Sequence, residues 1–412
     1  MSVAATETAP ARTRPWDVLA AGPFRALWTA HLLTLLGDGF SIVALPWLVL
    51  QMTGSGFALG TVLALEAIPR AALMLVGGAV ADRVSPRVAM LGSAAVRAAL
   101  IGLLAVLVLA HAVQLWEVYA IALLVGAVSA FFLPARFAVL PSVVDDHHLE
   151  AGNALLNLNQ MASMFVGPAL AGLLVAATGP GPAFLVDAAA FAAASLLLLA
   201  VPASRPAPRT ASQVGGLFVE IQEGLRYAWS DVGLRATLIL VTTINFAYTA
   251  SMTVGLPVIA HQRFAQGAAA LGSLLAAWGL GSTVGVVAAG LRRMPMRFGR
   301  LVIVGLAWSG ACVGLVGLAP TLTLALAATA VGGVADGAIN TYGIAWLQRR
   351  TDEVVRGRVM SLVMMAAVGL APVSLALGGL MAGQPTLLFV SAAAVILTSA
   401  AGAALSRTVR SL

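Results

Sequence analysis

The sequence predicts an all-α membrane protein: twelve transmembrane helices in two pseudo-symmetric six-helix bundles, with both termini cytoplasmic. Three observations predict it. Of 412 residues, 60% are hydrophobic and only 9% charged, where soluble domains carry roughly 25% charge. A dozen apolar stretches reach the roughly 20 residues that cross a bilayer. A weak internal repeat relates the two halves of the chain.

Composition bounds the rest. Twelve helices need about 240 apolar positions, so 412 residues leave little for a soluble domain. Residues 1–22 are polar and proline-containing, without the apolar core and small-residue site of a cleaved signal. They read as a cytoplasmic tail, and the first helix as its own signal. Cys312 is the single cysteine, which excludes an intrachain disulfide. The net charge of +7 reflects membrane topology rather than nucleic-acid binding. There is no lysine, and hence no phosphate-binding G-x-x-x-x-G-K-[ST] loop. No nucleophile elbow or catalytic histidine spacing appears, so no enzyme is expected.

Spans are read, in order, at 24–51, 57–81, 87–110, 115–140, 152–177, 182–201, 235–260, 269–291, 300–319, 321–346, 357–382 and 386–406. The arginines orient them. Arg12, Arg14, Arg25, Arg83, Arg87, Arg136, Arg205, Arg209, Arg226, Arg235, Arg292, Arg293, Arg297, Arg300, Arg349, Arg350, Arg356, Arg358, Arg407 and Arg410 fall in the tails, in the even-to-odd connections or beside them. Arg263 falls on the opposite side, and Arg70 and Arg97 lie within spans. The positive-inside rule then makes both termini cytoplasmic. Residues 23–201 form the N-terminal bundle and 235–406 the C-terminal bundle, with 407–412 as a short tail. Between the bundles, 202–234 opens with a proline-rich linker. It continues with Leu217, Ile221, Leu225 and Trp229 at four-residue spacing, as in an amphipathic surface helix.

The bundles repeat in register. Leu45-Pro46 and Gln51 recur as Leu256-Pro257 and Gln262, an offset of 211; Leu59-Gly60 and Gly78 recur as Leu271-Gly272 and Gly290, at 212. Gly152 and Pro168 recur as Gly357 and Pro372, at 205 and 204. Duplicated six-helix halves imply a transporter whose site lies between them. The same offsets carry Asp38, Glu66, Arg70 and Asp82 onto Thr249, Trp278, Ser282 and Met294. The skeleton is duplicated, whereas these charges stand in the first half alone, which suggests that this half does the ion work.

After span 2 the chain reads Gly78-Ala-Val-Ala-Asp82-Arg83-Val-Ser85-Pro86-Arg87. This resembles the G-x-x-x-D-R-x-G-R-K signature of the major facilitator superfamily, with Ser85 and Pro86 as departures. The runs LGDGFSIVALPWLVLQMTGS, EAIPRAALMLVGGAVADR and AGNALLNLNQMASMFVGPALAGLL resemble its bacterial branch of macrolide-efflux and enterobactin-exporter-like proteins. The resemblance covers essentially the whole chain. It implies alternating access, with helices 1, 4, 7 and 10 lining a cavity and 2, 5, 8 and 11 forming gates. It also implies that Asp82 helps hold an outward-facing state, with Arg136 as a partner. Ser163 to Gly172, with Gly167 and Pro168, resembles the G-x-x-x-G-P-x-x-G-G pattern of drug antiporters, with Ser163 and Ala171 replacing glycines. Ordinary small-residue packing is the competing account of that run.

Residue chemistry nominates the coupling groups. Asp38 lies near the middle of the first span, where a carboxylate costs roughly 2.5–3.5 kcal/mol on insertion scales. It is the first candidate for carrying a proton, against a structural hydrogen bond to a group such as Ser41. Glu66 and Arg70, spaced i, i+4 with the acid leading, are expected to pair, structurally or as a switch. Arg97 is expected to pair with an acid that the sequence does not identify. Asp336 with Asn340, and Asn245 with Tyr248, each share a helix face and are candidate cavity lining. His31 shares the face of Asp38. Asp145, Asp146, His147, His148 and Glu150 read as a solvated, helix-capping turn rather than a metal site.

The expected function is secondary active export, as a proton-coupled antiporter of lipophilic small molecules, siderophores or natural products, by a monomer in the bacterial cytoplasmic membrane. The alternatives are an uptake symporter or facilitator, and a non-transporting lipid- or partner-binding relative. No cofactor, metal or nucleic acid is expected; protons, cargo and membrane lipid are the partners.

Overall fold

The computed structural model describes residues 15–83, 85–202, 226, 229–292, 297–351 and 353–411, with backbone only at 15–17, 74–83, 133, 134, 137, 146, 353–358 and 411. Among these residues the chain is helical throughout, and no strand forms. The first bundle comprises α1 (Gly22–Thr53), α2 (Gly56–Arg83), α3 (Pro86–Leu109), α4 (Leu115–Ser129, continued by Phe132–Val143), α5 (Leu149–Thr178) and α6 (Pro180–Leu198). The second comprises α7 (Val232–Thr249, a π turn at Ala250–Gly255, then Leu256–Arg263), α8 (Ala268–Leu291), α9 (Phe298–Leu318), α10 (Leu322–Arg350), α11 (Glu353–Val368 and Ala371–Met381) and α12 (Pro385–Leu405). Eleven of these are long and apolar enough to span a membrane. In α4 the first piece has 15 residues, short of a span until Phe132–Val143 extends it. The amphipathic stretch expected at 217–225 lies outside the described residues.

Proline and glycine set the ends. Proline occupies the first turn of α3, α6 and α12, where its missing N–H is no loss. Gly54 (φ 62°) closes α1 in the left-handed conformation, which only glycine adopts without strain. Arg87 then ties the bundle together: its Nε donates to Leu198 O at 3.1 Å and its Nη2 to Leu199 O at 2.6 Å. A cation is thereby set on the carbonyl end of α6, where the helix dipole favours it.

The two bundles meet at one end. Gly60 on α2 faces Gly379 on α11: a Cβ on Gly60 would stand 2.6 Å from Gly379 Cα and 2.8 Å from Leu375 O. Gly172 on α5 faces Gly272 on α8, where a Cβ on Gly172 would stand 2.7 Å from Gly272 Cα. Gly60 and Gly272 are partners in the sequence repeat, so the two contacts are pseudo-symmetric. All four glycines lie at the helix ends remote from the chain termini and from 202–234. The bundles are therefore in backbone contact on that side.

The π turn of α7 is held by its neighbour. Ser374 on α11 donates to Phe246 O at 2.6 Å and accepts from Ala250 N at 3.0 Å, filling the break in the helical ladder. Such single wide turns need a side chain or water to satisfy the freed backbone groups.

Candidate functional site

The centre of the first bundle is a charged cluster, positioned by the tripeptide Gly37-Asp38-Gly39 on α1. Gly37 lies against α6: a Cβ there would run into Asp187 Oδ1 and stand 3.4 Å from both Ala190 and Phe191. Gly39 lies against α5, where a Cβ would stand 2.7 Å from Gly167 Cα and 3.3 Å from Pro168 Cδ. The two glycines let α1 sink between α5 and α6, and Asp38 is carried into the bundle with them.

Asp38 Oδ1 accepts from Arg97 Nη2 of α3. This supplies the acid that Arg97 lacks in the sequence reading. It also means that Asp38 stands as one half of an ion pair, and not on a hydrogen bond to Ser41. The Arg97 side chain is nearly buried while that of Asp38 is 39% accessible, so the two partners differ sharply in exposure. The guanidinium lies 3.9 Å from the centre of the Phe191 ring, a cation–π contact that helps to offset its desolvation.

A second acid completes the cluster. Asp187 of α6 is fully buried. Its Oδ2 accepts from Ser41 Oγ, and its Oδ1 has no partner. No spacing or repeat marks Asp187; its one sequence signal is a carboxylate inside an apolar span, the same signal that singles out Asp38. Glu66 and Arg70 of α2 pair as their spacing predicts, and Gly126 of α4 packs on the Glu66 backbone.

The other nominated residues divide. His31 is buried, with Nε2 at 2.6 Å from Arg136 Nη1, so it braces α1 against α4 rather than lining a cavity. Arg136 accordingly reaches α1. Gly78, Asp82 and Arg83 of the loop signature lie among the backbone-only residues, so the expected contact of Asp82 with Arg136 lies outside the described side chains. Of the helix 5 motif, Gly167 serves the packing of α1, and Pro168 and Gly172 serve the contact with α8. Asn245 returns its amide to Val241 O at 2.9 Å on its own helix.

In the second bundle Asp336 of α10 gathers neutral donors: Trp278 Nε1 reaches Oδ2 at 3.1 Å and Ser309 Oγ reaches Oδ1 at 3.1 Å. Tyr248 faces the same carboxylate, and Asn340 lies exposed one turn along. A small cavity lined by Tyr248, Met252, Ser309, Cys312 and Thr329 opens beside it. Trp278 and Ser309 stand, by the offset of 212, where the first bundle has Glu66 and Arg97. Corresponding helices thus build two polar centres, one ionic and one around a lone carboxylate. At the surface, Asp145, His147 and His148 bring their ligand atoms within 4.8 Å of one another, with both Asp145 and His147 exposed.

A family model described as a transmembrane secretion effector, of the major facilitator type, matches residues 13–411. The multidrug efflux pump Tap of Mycobacterium tuberculosis is 29% identical over 374 residues, covering 87% of this chain and 86% of that protein. The enterobactin exporter EntS of Escherichia coli is 26% identical over 340 residues, covering 82% and 80%. Among solved structures, a bacterial homologue of the iron transporter ferroportin in an inward-facing state superposes with a TM-score of 0.73 at 15% identity, over 92% of this chain and 97% of that one. That likeness is one of fold.

Proposed function

The chain belongs to the transmembrane secretion effector family of major facilitator transporters, a multi-pass protein of the bacterial cytoplasmic membrane and not an enzyme, and from that premise we propose that it is a proton-coupled antiporter exporting lipophilic small molecules. Export is supported by relatives named for drug efflux and enterobactin export. The observation that carries the coupling is the Asp38–Arg97 pair beside buried Asp187 in the middle of the first bundle. Ionisable groups in that position are expensive and mark ion pathways. Entry of one proton is worth about 2.3 kcal/mol per 100 mV of membrane potential.

The bundles touch at the end remote from the termini, and in this reading the central cavity opens toward the termini. With cytoplasmic termini this is the cargo-loading, inward-facing state. A lipophilic cation or neutral amphiphile suits it: the hydrogen-bond partners of Asp336 are all neutral, so its charge is left for a positive group to answer. Proton uptake in the first bundle and cargo in the second then share one rocking motion, each biasing the state that binds it better. The protein acts as a monomer, since both bundles lie in one chain.

The test is transport into inverted membrane vesicles with an acidic lumen, across a panel of lipophilic cations, macrolides and siderophores. Cargo accumulation that collapses with an uncoupler is expected. Equal flux without any gradient, or flux in the opposite direction, overturns the proposal.

A further inference from the structure

We infer that Asp187, rather than Asp38, is the group that binds and releases the coupled proton, with Arg97 as the mobile counter-charge between the two acids. The inference rests on the antiporter reading and names the residue that performs its central step.

The cluster holds two carboxylates for one guanidinium. Asp38 takes the Arg97 hydrogen bond. Asp187 is fully buried, one oxygen bonded by Ser41 and the other without a donor. An ionised carboxylate in that setting leaves a bare charge in hydrocarbon and an oxygen unsatisfied. A carboxyl group bearing a proton on Oδ1 removes the charge, so Asp187 holds a proton while Arg97 is bound to Asp38. Asp38, by contrast, has its counter-ion in place and is partly accessible.

The groups facing Asp187 are few. From α1 comes Asp38, from α2 Glu66 with its partner Arg70, and from α3 Arg97; α5 carries only Glu150, in its first turn at the far end. Arg97 is the one cation positioned to replace the proton. It already lies over Phe191, one helical turn from Asp187 on the same helix, and its Nε is buried without a partner. Release is then a balanced exchange. The Oδ1–H bond breaks, the proton passes to water in the cavity, and Arg97 moves from Asp38 to the new carboxylate. Asp38 is left negative on its accessible side, ready to take a cationic cargo or the returning guanidinium. Gly37 has its place here, since any side chain would occupy the space of Oδ1.

Two measurements on the full-length protein test this. The infrared C=O stretch of a protonated, buried carboxylic acid is expected in the reconstituted wild type at neutral pH and absent from Asp187→Asn; an unchanged band overturns the inference. In proteoliposomes with ethidium as probe, Asp187→Asn is expected to keep gradient-independent exchange of the dye and to lose its response to an imposed pH gradient. A wild type that ignores the gradient removes the antiporter reading and this role with it. A wild type that responds, beside an Asp187→Asn that responds equally, removes the role of Asp187 alone. Should Asp187→Asn fail to insert, Ser41→Ala deletes only the hydroxyl that bonds Oδ2. Its pH profile of dye efflux is expected to move, while that of Ser163→Ala, another buried hydroxyl, stays in place; coincident profiles overturn the inference.

Discussion

Asp38 and Arg97 show how a charge survives in the middle of a span. Each alone would be costly; together, with Phe191 beneath the guanidinium, they neutralise and shield one another. Removing one partner strands the other. Arg97→Gln is therefore expected to reduce folded protein strongly, by the roughly 3–5 kcal/mol typical of breaking a buried pair, as read by thermal unfolding in detergent. Asp38→Asn strands the nearly buried guanidinium, but Asp187 remains beside it as a second acid, so the loss is expected to be smaller. It is expected to insert and to lose cation export; full export of lipophilic cations by that variant contradicts a role for Asp38 in the cluster. Arg97→Lys is not a conservative change, since an ammonium lacks the planar fork and stacks less well on Phe191.

At the scale of elements, glycine and serine decide how closely helices approach. Gly37 and Gly39 seat α1 against α6 and α5. Gly39→Ala is expected to destabilise by about 1–3 kcal/mol through overpacking, because the atoms it meets are the Gly167 backbone and cannot swing aside. Ser374 couples α7 to α11 by two hydrogen bonds at the π turn. Ser374→Ala leaves Phe246 O and Ala250 N unsatisfied and is expected to cost about 1–3 kcal/mol, measured as a lower unfolding temperature. Asp231, just ahead of α7, caps Gly233 and Leu234 and bonds Arg350 at 3.0 Å. Burial alone would raise its carboxyl; the amide of Leu234, the charge of Arg350 and the amide of Gly233 outweigh it and hold it below the usual carboxylate range. A depressed acid stabilises the folded state above its unfolded value, near 3.9, and loses that contribution as pH falls through the folded value. The stability gap between wild type and Asp231→Ala, about 1 kcal/mol for a cap, is expected to be constant at neutral pH and to close in acid.

For the whole molecule, the pseudo-symmetric glycine contacts Gly60–Gly379 and Gly172–Gly272 set which end is shut. The atoms facing these glycines are backbone, so an added methyl group forces the bundles apart. Gly172→Ala and Gly272→Ala are each expected to shift the population toward a state open on the side away from the termini. A cysteine placed between the bundles near Gly60 then becomes more accessible to a membrane-impermeant thiol reagent, in a background where Cys312 is replaced by serine. Unchanged labelling would show that the contact does not bias the two states.

Much of this was legible in the chain. Long apolar stretches punctuated by proline and glycine specify the helices, eleven of them span-length among the described residues and Leu115–Ser129 shorter, because in hydrocarbon each helix must satisfy its own backbone. The repeat specifies two bundles. Glu66 and Arg70 announce their pairing, since i, i+4 neighbours meet on any helix. What the sequence by itself determined was thus what depends on local spacing and on transfer to lipid: the apolar helices, the pairing of near neighbours, the presence of costly charges. Only the tertiary structure decided who answers those charges. Arg97 reaches Asp38 across 59 positions, and Ser41 reaches Asp187 across 146. His31 meets Arg136 rather than the cavity, and Asp336 is answered by Trp278 and Ser309. In a membrane the neighbours of a buried polar group are chosen by helix packing, and packing is set by glycine-sized gaps between helices distant in the chain, which hydropathy does not record.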